Sequence, residues 1–284
     1  MSRPFSIKIF IPSGDPDGLR VIEKSNWTGS GLVFNRSIYQ ESRVREEFER
    51  TGVYILVGES DSSTLPTVYI GEGDPVKPRL EQHYSKKDFW SWCIFFTSKD
   101  GSLNKAHVKH LESRLIEKAK EAKQCSLDNI QDSQLPTLTE AEKADAESFL
   151  LDMLSIFPLV GLNIFEAAKK PKSKNKILYI SAKGLSGSGY ESPNGFTVCK
   201  GTQVFGKVTK SADKFISTIR ADLLNQKVII PDGEHYIFTQ DYSFSSVSSA
   251  ASVVLARNAN GRIEWKDKSG NTLKKLQEGS VKML

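Results

Sequence analysis

Two runs set the architecture of this chain, Gly52-Val53-Tyr54-Ile55-Leu56-Val57-Gly58 and Val68-Tyr69-Ile70-Gly71. Each alternates with the two-residue period of a strand. Val53, Ile55 and Val57 point one way while Tyr54 and Leu56 point the other. In the second run Tyr69 points opposite to Val68 and Ile70. An antiparallel pairing of the two runs can therefore put both tyrosines on one face. The segment 58–67 between them is rich in Ser and Asp and reads as a loop. Residues 89–97, rich in aromatics, read as a third strand. Between the second and third strands, Pro78 suits the first turn of a helix. Arg79 and His83 lie four apart on one face of that helix. Residues 103–123 carry Val108, Leu111, Leu115, Ile116, Ala119 and Ala122 at helical spacing.

Outward from this core, residues 5–11 read as a strand. A dense turn signal, Ser13-Gly14-Asp15-Pro16-Asp17-Gly18, connects it to a second strand at 19–24, which makes a hairpin. Residues 38–50, with Tyr39, Val44 and Phe48, read as a short helix. Downstream, Thr139 followed by Glu142 is a capping-box pattern that opens a helix toward Phe157. Lys169-Lys170-Pro171-Lys172-Ser173-Lys174-Asn175-Lys176 reads as a basic linker. Beyond it, 177–181, 196–199, 236–239 and 262–265 read as strands and 246–256 as a small-residue helix. Asn260-Gly261 and Ser269-Gly270-Asn271 read as turns. The expected class is α+β: a small three-stranded antiparallel sheet flanked by helices, then a mainly β C-terminal domain. The expected parts are a hairpin and helix extension at 1–50, the three-stranded domain at 51–131, an acidic helical connector with the basic linker at 132–176, and a basic domain at 177–284.

Of the 284 residues, 26% are charged and 38% hydrophobic, as in ordinary folded proteins. The three cysteines, Cys93, Cys125 and Cys199, are scattered and contain no CxxC pair. That argues against a disulfide framework or zinc cluster and for a reducing, cytoplasmic setting. Residues 7–11 are too short for a signal peptide, and the longest apolar stretch, 149–162, contains Asp152 and Pro158, so no membrane partner is expected. Charge is unevenly placed: −6 over residues 132–168 against +10 over residues 169–284. The C-terminal third is the electrostatic candidate for a polyanion.

Glu112 is the first chemical signal. On a helical wheel it falls about 40° from Val108, inside the apolar arc, whereas Glu117 and Glu121 fall on the far side. A carboxylate there needs a metal or an ion-pair partner such as Arg79, and both readings stand at this point. A strand tyrosine alone is most often core, and a helix arginine alone is most often solvated. Together the set has a chemistry. Phosphodiester cleavage needs a proton acceptor for water, donors around the phosphate and a hard cation on the leaving oxygen. Tyrosine, arginine and glutamate can fill those roles.

This order of residues resembles the GIY-YIG nucleases over residues 51–131. The first tripeptide stands as Gly52-Val53-Tyr54 and the second as Tyr69-Ile70-Gly71. By that resemblance Tyr54 acts as general base, Tyr69 holds the nucleophile or phosphate, and Arg79 and His83 stabilise the phosphate. His83 matches the restriction-enzyme branch. Glu112 matches the single glutamate that holds one Mg²⁺ or Mn²⁺ per site, and Asn129 matches the asparagine that closes the motif. Lys105 stands near the set. Residues 186–275, with Ser192-Pro193-Asn194-Gly195-Phe196 and Asn260-Gly261-Arg262-Ile263-Glu264-Trp265-Lys266, resemble an uncharacterised bacterial domain often attached to these nucleases. In that domain Trp265 and Phe244 are candidates either for stacking on bases or for core packing. The expected function is metal-dependent endonuclease action on DNA, with RNA the other polynucleotide, in a restriction, repair or mobile-element setting. The rival is a catalytically silent nucleic-acid-binding protein on the same scaffold; a purely regulatory subunit is a third reading. A homodimer is the oligomer that double-strand cutting would use.

Overall fold

The computed structural model describes residues 4–60, 63–129, 136–166, 177–193, 195–209 and 212–281. The expected basic linker at 169–176, and Asn194 of the C-terminal motif, lie outside the described residues. The chain divides into two compact units, residues 1–60 with 65–165, and residues 61–64 with 166–284.

The first unit is built on one sheet. Its strands are β1 (Ile7–Phe10), β2 (Arg20–Lys24), β3 (Gly29–Asn35), β4 (Gly52–Gly58), β5 (Thr67–Gly73), β6 (Trp92–Ser98) and β7 (Ser126–Leu127). Their spatial order is β1-β2-β3-β6-β4-β5-β7. The three strands expected from the tyrosine motifs are present as β5-β4-β6, all antiparallel. They do not stand alone. β3, which the sequence reading passed over, pairs with β6 along its whole length from Gly29↔Ser98 to Asn35↔Trp92 and joins the hairpin to the sheet. The small three-stranded sheet is thus the middle of a seven-stranded one, and residues 4–50 are part of it rather than a separate extension.

Helices cover both faces. On one, Val53, Ile55, Val68, Ile70, Ile94 and Phe96 form a core with α3 (Lys105–Ala122) and α4 (Glu140–Ile156). On the other, Tyr54, Leu56, Phe95 and Cys93 pack with Tyr39 of α1 (Tyr39–Ser42), Phe48, Leu80 of α2 (Lys77–Lys86) and Trp90. α4 opens with the expected capping box: Thr139 N donates to Glu142 Oε2 at 2.9 Å, and Glu142 N donates to Thr139 Oγ1 at 3.3 Å. Leu150 and Met153 of α4 lie in the sheet core, so the acidic connector is structurally part of the first unit. α3 carries a capping box the sequence reading missed, in which Asn104 Oδ1 accepts from Ala106 N and His107 N, both at 2.9 Å.

The helix expected over 38–50 is broken into α1 and a 3₁₀ turn at Glu46–Glu49. Tyr39 and Phe48 explain the break. Nine residues apart on a straight helix they would face opposite ways, about 13 Å apart along the axis. Here their rings are 6.3 Å apart and both pack on Phe34, which requires the chain to turn.

The second unit has strands β8 (Leu178–Ala182), β9 (Leu185–Ser192), β10 (Gly195–Val198), β11 (Gln203–Phe205), β12 (Ile229–Asp232), β13 (His235–Phe238) and β14 (Tyr242–Phe244). They form sheets ordered β14-β10-β9-β8 and β11-β13-β12, in keeping with the mainly β expectation. Four helices join them: α5 (Lys214–Asn225), α6 (Val247–Leu255), α7 (Gly261–Glu264) and α8 (Leu273–Val281). The strand expected at 262–265 is α7 instead. Asn260 Oδ1 accepts from Arg262 N at 3.1 Å and caps a single helical turn. Ile263 and Trp265 have the spacing of one strand face, yet Ile263 is exposed and Trp265 buried, as the helical turn dictates. Trp265 is 0% exposed against Phe196, at 4.6 Å between ring centroids, and Phe244 is also buried. Both are core side chains, and neither offers a face to a base.

Candidate active site

The register of β4 on β5 places Tyr54 opposite Gly71 and Leu56 opposite Tyr69. Both tyrosines therefore point to the face that α2 covers. Their rings lie 6.3 Å apart at 28°. The glycine of the second motif has a steric reason. A Cβ at 71 would stand 2.4 Å from Tyr54 Oη and 2.5 Å from Cζ, so the Tyr54 ring needs a bare backbone beneath it.

α2 begins where Pro78 predicts and carries Arg79 and His83 toward the same place. Tyr54 Oη and His83 Nε2 are 2.8 Å apart and share one proton. The His83 ring sits 4.6 Å from that of Tyr69 and 5.6 Å from that of Tyr54. Burial, with Arg79 and Lys87 close by, pulls His83 down to about 4, so at neutral pH its ring is uncharged. Burial also drives the Tyr54 phenol well above its usual value, with Tyr69 adding to the rise, Arg79 opposing it and Glu112 adding again. Arg79 itself is held above its ordinary value: burial pulls it down, but Tyr54, Tyr69 and Glu72 outweigh that. Its Nη1 donates to Gln82 Oε1 at 3.2 Å, and the residue remains exposed.

Glu112 projects from α3, half-buried between the core residues Leu111 and Leu115 along the chain. α3 packs on the other face of the sheet, and the Glu112 charge adds to the rise of the Tyr54 phenol. Four predicted positions, Tyr54, Tyr69, Arg79 and His83, therefore adjoin on one face, and Glu112 acts on the Tyr54 phenol.

Asn129 is placed differently. Its Oδ1 accepts from Ile70 N at 3.0 Å and its Nδ2 donates to Ile70 O at 2.7 Å. Its amide thus imitates a neighbouring strand just where the two-residue β7 stops pairing with β5. Its hydrogen bonds give it a positioning task on β5; the resemblance implies a catalytic one. Lys105 is also committed, donating from Nζ to Glu72 at 2.6 Å.

Two further residues border the site without having been singled out in the sequence. Lys87 lies over the Tyr69 ring at 4.6 Å and is ion-paired with Asp128. Its spacing of four from His83 at the end of α2 was the available signal. Glu72, directly after the second motif, acts on Arg79 and pairs with Lys105.

No group of three or more His, Cys, Asp or Glu able to cage a metal exists among the described residues. Mg²⁺ keeps several waters and is commonly held by one or two carboxylates together with substrate phosphate, which a single half-buried glutamate can serve.

Comparison with known proteins bears on the second unit. A family model described as a domain of unknown function (DUF4357) matches residues 178–277. This is consistent with an uncharacterised C-terminal domain. Residues 51–131 carry no match to a nuclease family model. No curated protein matches the chain, and no solved structure matches it. No helix among the described residues is long and apolar enough to cross a membrane.

Proposed function

We propose that the first unit is a GIY-YIG-type endonuclease that hydrolyses phosphodiester bonds in DNA with one bound Mg²⁺ or Mn²⁺. One observation carries this reading: two phenols, a guanidinium and a neutral imidazole share one face at Gly71, with the Glu112 carboxylate acting on the same phenol. A structural cluster has no need of an exposed arginine beside two tyrosines and a buried, uncharged histidine.

The chemistry follows from the protonation states. Arg79 offers a permanent cation to the scissile phosphate. Tyr69, steadied by Lys87 over its ring, offers a donor to a phosphate oxygen or to the attacking water. Tyr54 is protonated at rest and cannot act as a phenolate base by itself. Its partner resolves this. As Tyr54 Oη takes a proton from water, its own proton passes to His83 Nε2 in the tautomer that leaves this nitrogen bare. The imidazolium formed is favoured by the phosphate charge, which offsets Arg79 and Lys87. Glu112 would hold the divalent ion, which supplies stabilisation of negative charge on the leaving oxygen.

The test is supercoiled plasmid incubated with wild type, Glu112→Ala and Tyr54→Phe, with Mg²⁺, with Mn²⁺ and with chelator. Metal-dependent nicking is expected from wild type. Tyr54→Phe should lower the rate by roughly 10²–10⁴-fold, the range of general acid–base contributions. Glu112→Ala should abolish nicking while the protein stays folded by circular dichroism. DNA binding without cutting by wild type across several DNA substrates would favour the silent-scaffold reading.

A further inference from the structure

With Trp265 and Phe244 buried, any base-stacking platform of the second unit must lie elsewhere, and its fold exposes one. On β8, Leu178 and Ile180 turn into the core while Tyr179 turns out, 37% exposed. Tyr179 pairs with Ser188 of β9 on one side. On the other it makes an isolated antiparallel bridge: Tyr179 N donates to Lys266 O at 2.7 Å and Lys266 N donates to Tyr179 O at 2.9 Å. Residues paired in this way put their side chains next to each other on one face. Trp265 anchors the bridge from within, so its successor Lys266 is exposed beside the tyrosine.

The surroundings are basic. Lys268, Lys274 and Lys275 are exposed on the stretch that continues the bridge, and Lys183 is exposed in the turn after β8. Between 262 and 278, five residues are Lys or Arg and three are acidic. Glu264 pairs with Arg257 at 2.7 Å, Asp267 caps the turn by accepting from Ser269 N and Asn271 N, and Glu278 pairs with Lys274 at 3.9 Å, which leaves Lys266 and Lys268 as the cations nearest the bridge in the chain.

We infer that Tyr179 and Lys266, with the exposed Lys268 two residues on, form a binding surface for single-stranded nucleic acid. The tyrosine ring stacks on a base, and the lysines neutralise the flanking phosphates. An open aromatic face within a field of cations is what an unstacked polynucleotide requires, whereas a duplex hides its base faces. The choice of partner rests on the nuclease reading of the first unit; the placement of the residues does not.

The test uses the full chain in chelator, so that no cutting intervenes. Fluorescence anisotropy is read on labelled oligothymidylate and on a duplex of equal length over a salt titration. Tyr179→Ala should weaken single-strand binding about tenfold, with little effect on the duplex, and Tyr179→Phe should restore it. Lys266→Ser with Lys268→Ser should reduce the single-strand salt slope by about 1.4, two phosphate contacts at 0.7 each. These lysines are exposed, so that variant serves even where Tyr179→Ala does not fold. An unchanged affinity and slope in all variants overturns the surface, as does a Tyr179→Phe that binds as weakly as Tyr179→Ala. The two readings fail separately. Metal-dependent nicking with binding indifferent to Tyr179 and Lys266 removes the surface and keeps the nuclease. Tyr179-dependent binding without nicking does the reverse.

Discussion

At the scale of the residue, Tyr54 and His83 are both neutral for the same reason: each loses hydration on burial, and each has a charged form that the pocket disfavours. For His83 this makes stability depend on pH. The unfolded ring takes a proton near its ordinary 6.5, while the folded one resists until about 4. The contribution is therefore complete above pH 6.5 and drains away as pH falls toward 4, up to roughly 3 kcal/mol. Urea midpoints measured across this window should drop steeply in wild type and less in His83→Gln; parallel curves would refute the linkage. Gly71 belongs to the same scale. Gly71→Ala puts a methyl against the Tyr54 ring and should cost about 1–3 kcal/mol, together with nicking activity. In a double-mutant cycle with Tyr54→Ala the two losses should fall short of their sum, since removing the ring removes the collision. Strict additivity of melting shifts would show that the glycine is needed for something else.

At the scale of the element, β5 is the strand on which the site depends. Among the described residues, β7 pairs with its Thr67 and Val68, and Asn129 takes over at Ile70. Asn129→Ala leaves Ile70 N–H and C=O without their partner, at a cost of about 1–3 kcal/mol. Amide exchange at Ile70 should speed up, and turnover should fall because Tyr69 and Gly71 flank the loosened residue. Unaltered exchange at Ile70 in this variant would argue against the positioning task. α2 is the complementary element. Pro78 in its first turn starts the helix, and Arg36, donating to Tyr84 O at 2.9 Å and to Lys87 O, holds its end. Arg79 and His83 are thus presented from a helix fixed at both termini.

At the scale of the whole molecule, each unit has its own core. α4 turns Leu150, Met153 and Ile156 into the sheet core, and its half-buried Asp152 pairs with Lys24 of β2 at 2.7 Å. Its Glu147 is also tied to α3, accepting from Arg114 Nε at 2.7 Å and contacting His110 at 2.8 Å. Met153→Ala should destabilise the first unit by about 2–5 kcal/mol and diminish nicking by lowering the folded fraction. A thermal melt of the variant matching wild type would mean that α4 is a passive appendage.

Much of the local structure was legible beforehand. The period-two runs around Tyr54 and Tyr69, the helix after Pro78 and the capping box at Thr139 depend on backbone sterics and on partners a few residues away, which neighbouring letters encode. That both tyrosines share a face follows from the same alternation once the strands are antiparallel. Other features depend on residues distant in the chain. Only the tertiary structure extended three strands to seven, broke 38–50 to bring Tyr39 and Phe48 together, and coiled 261–264. Only it buried Trp265 while exposing Tyr179, and gave the Asn129 amide to Ile70. Burial decides these outcomes, as it decides the protonation of Tyr54 and His83, because desolvation depends on everything that surrounds a group and not on its neighbours in sequence.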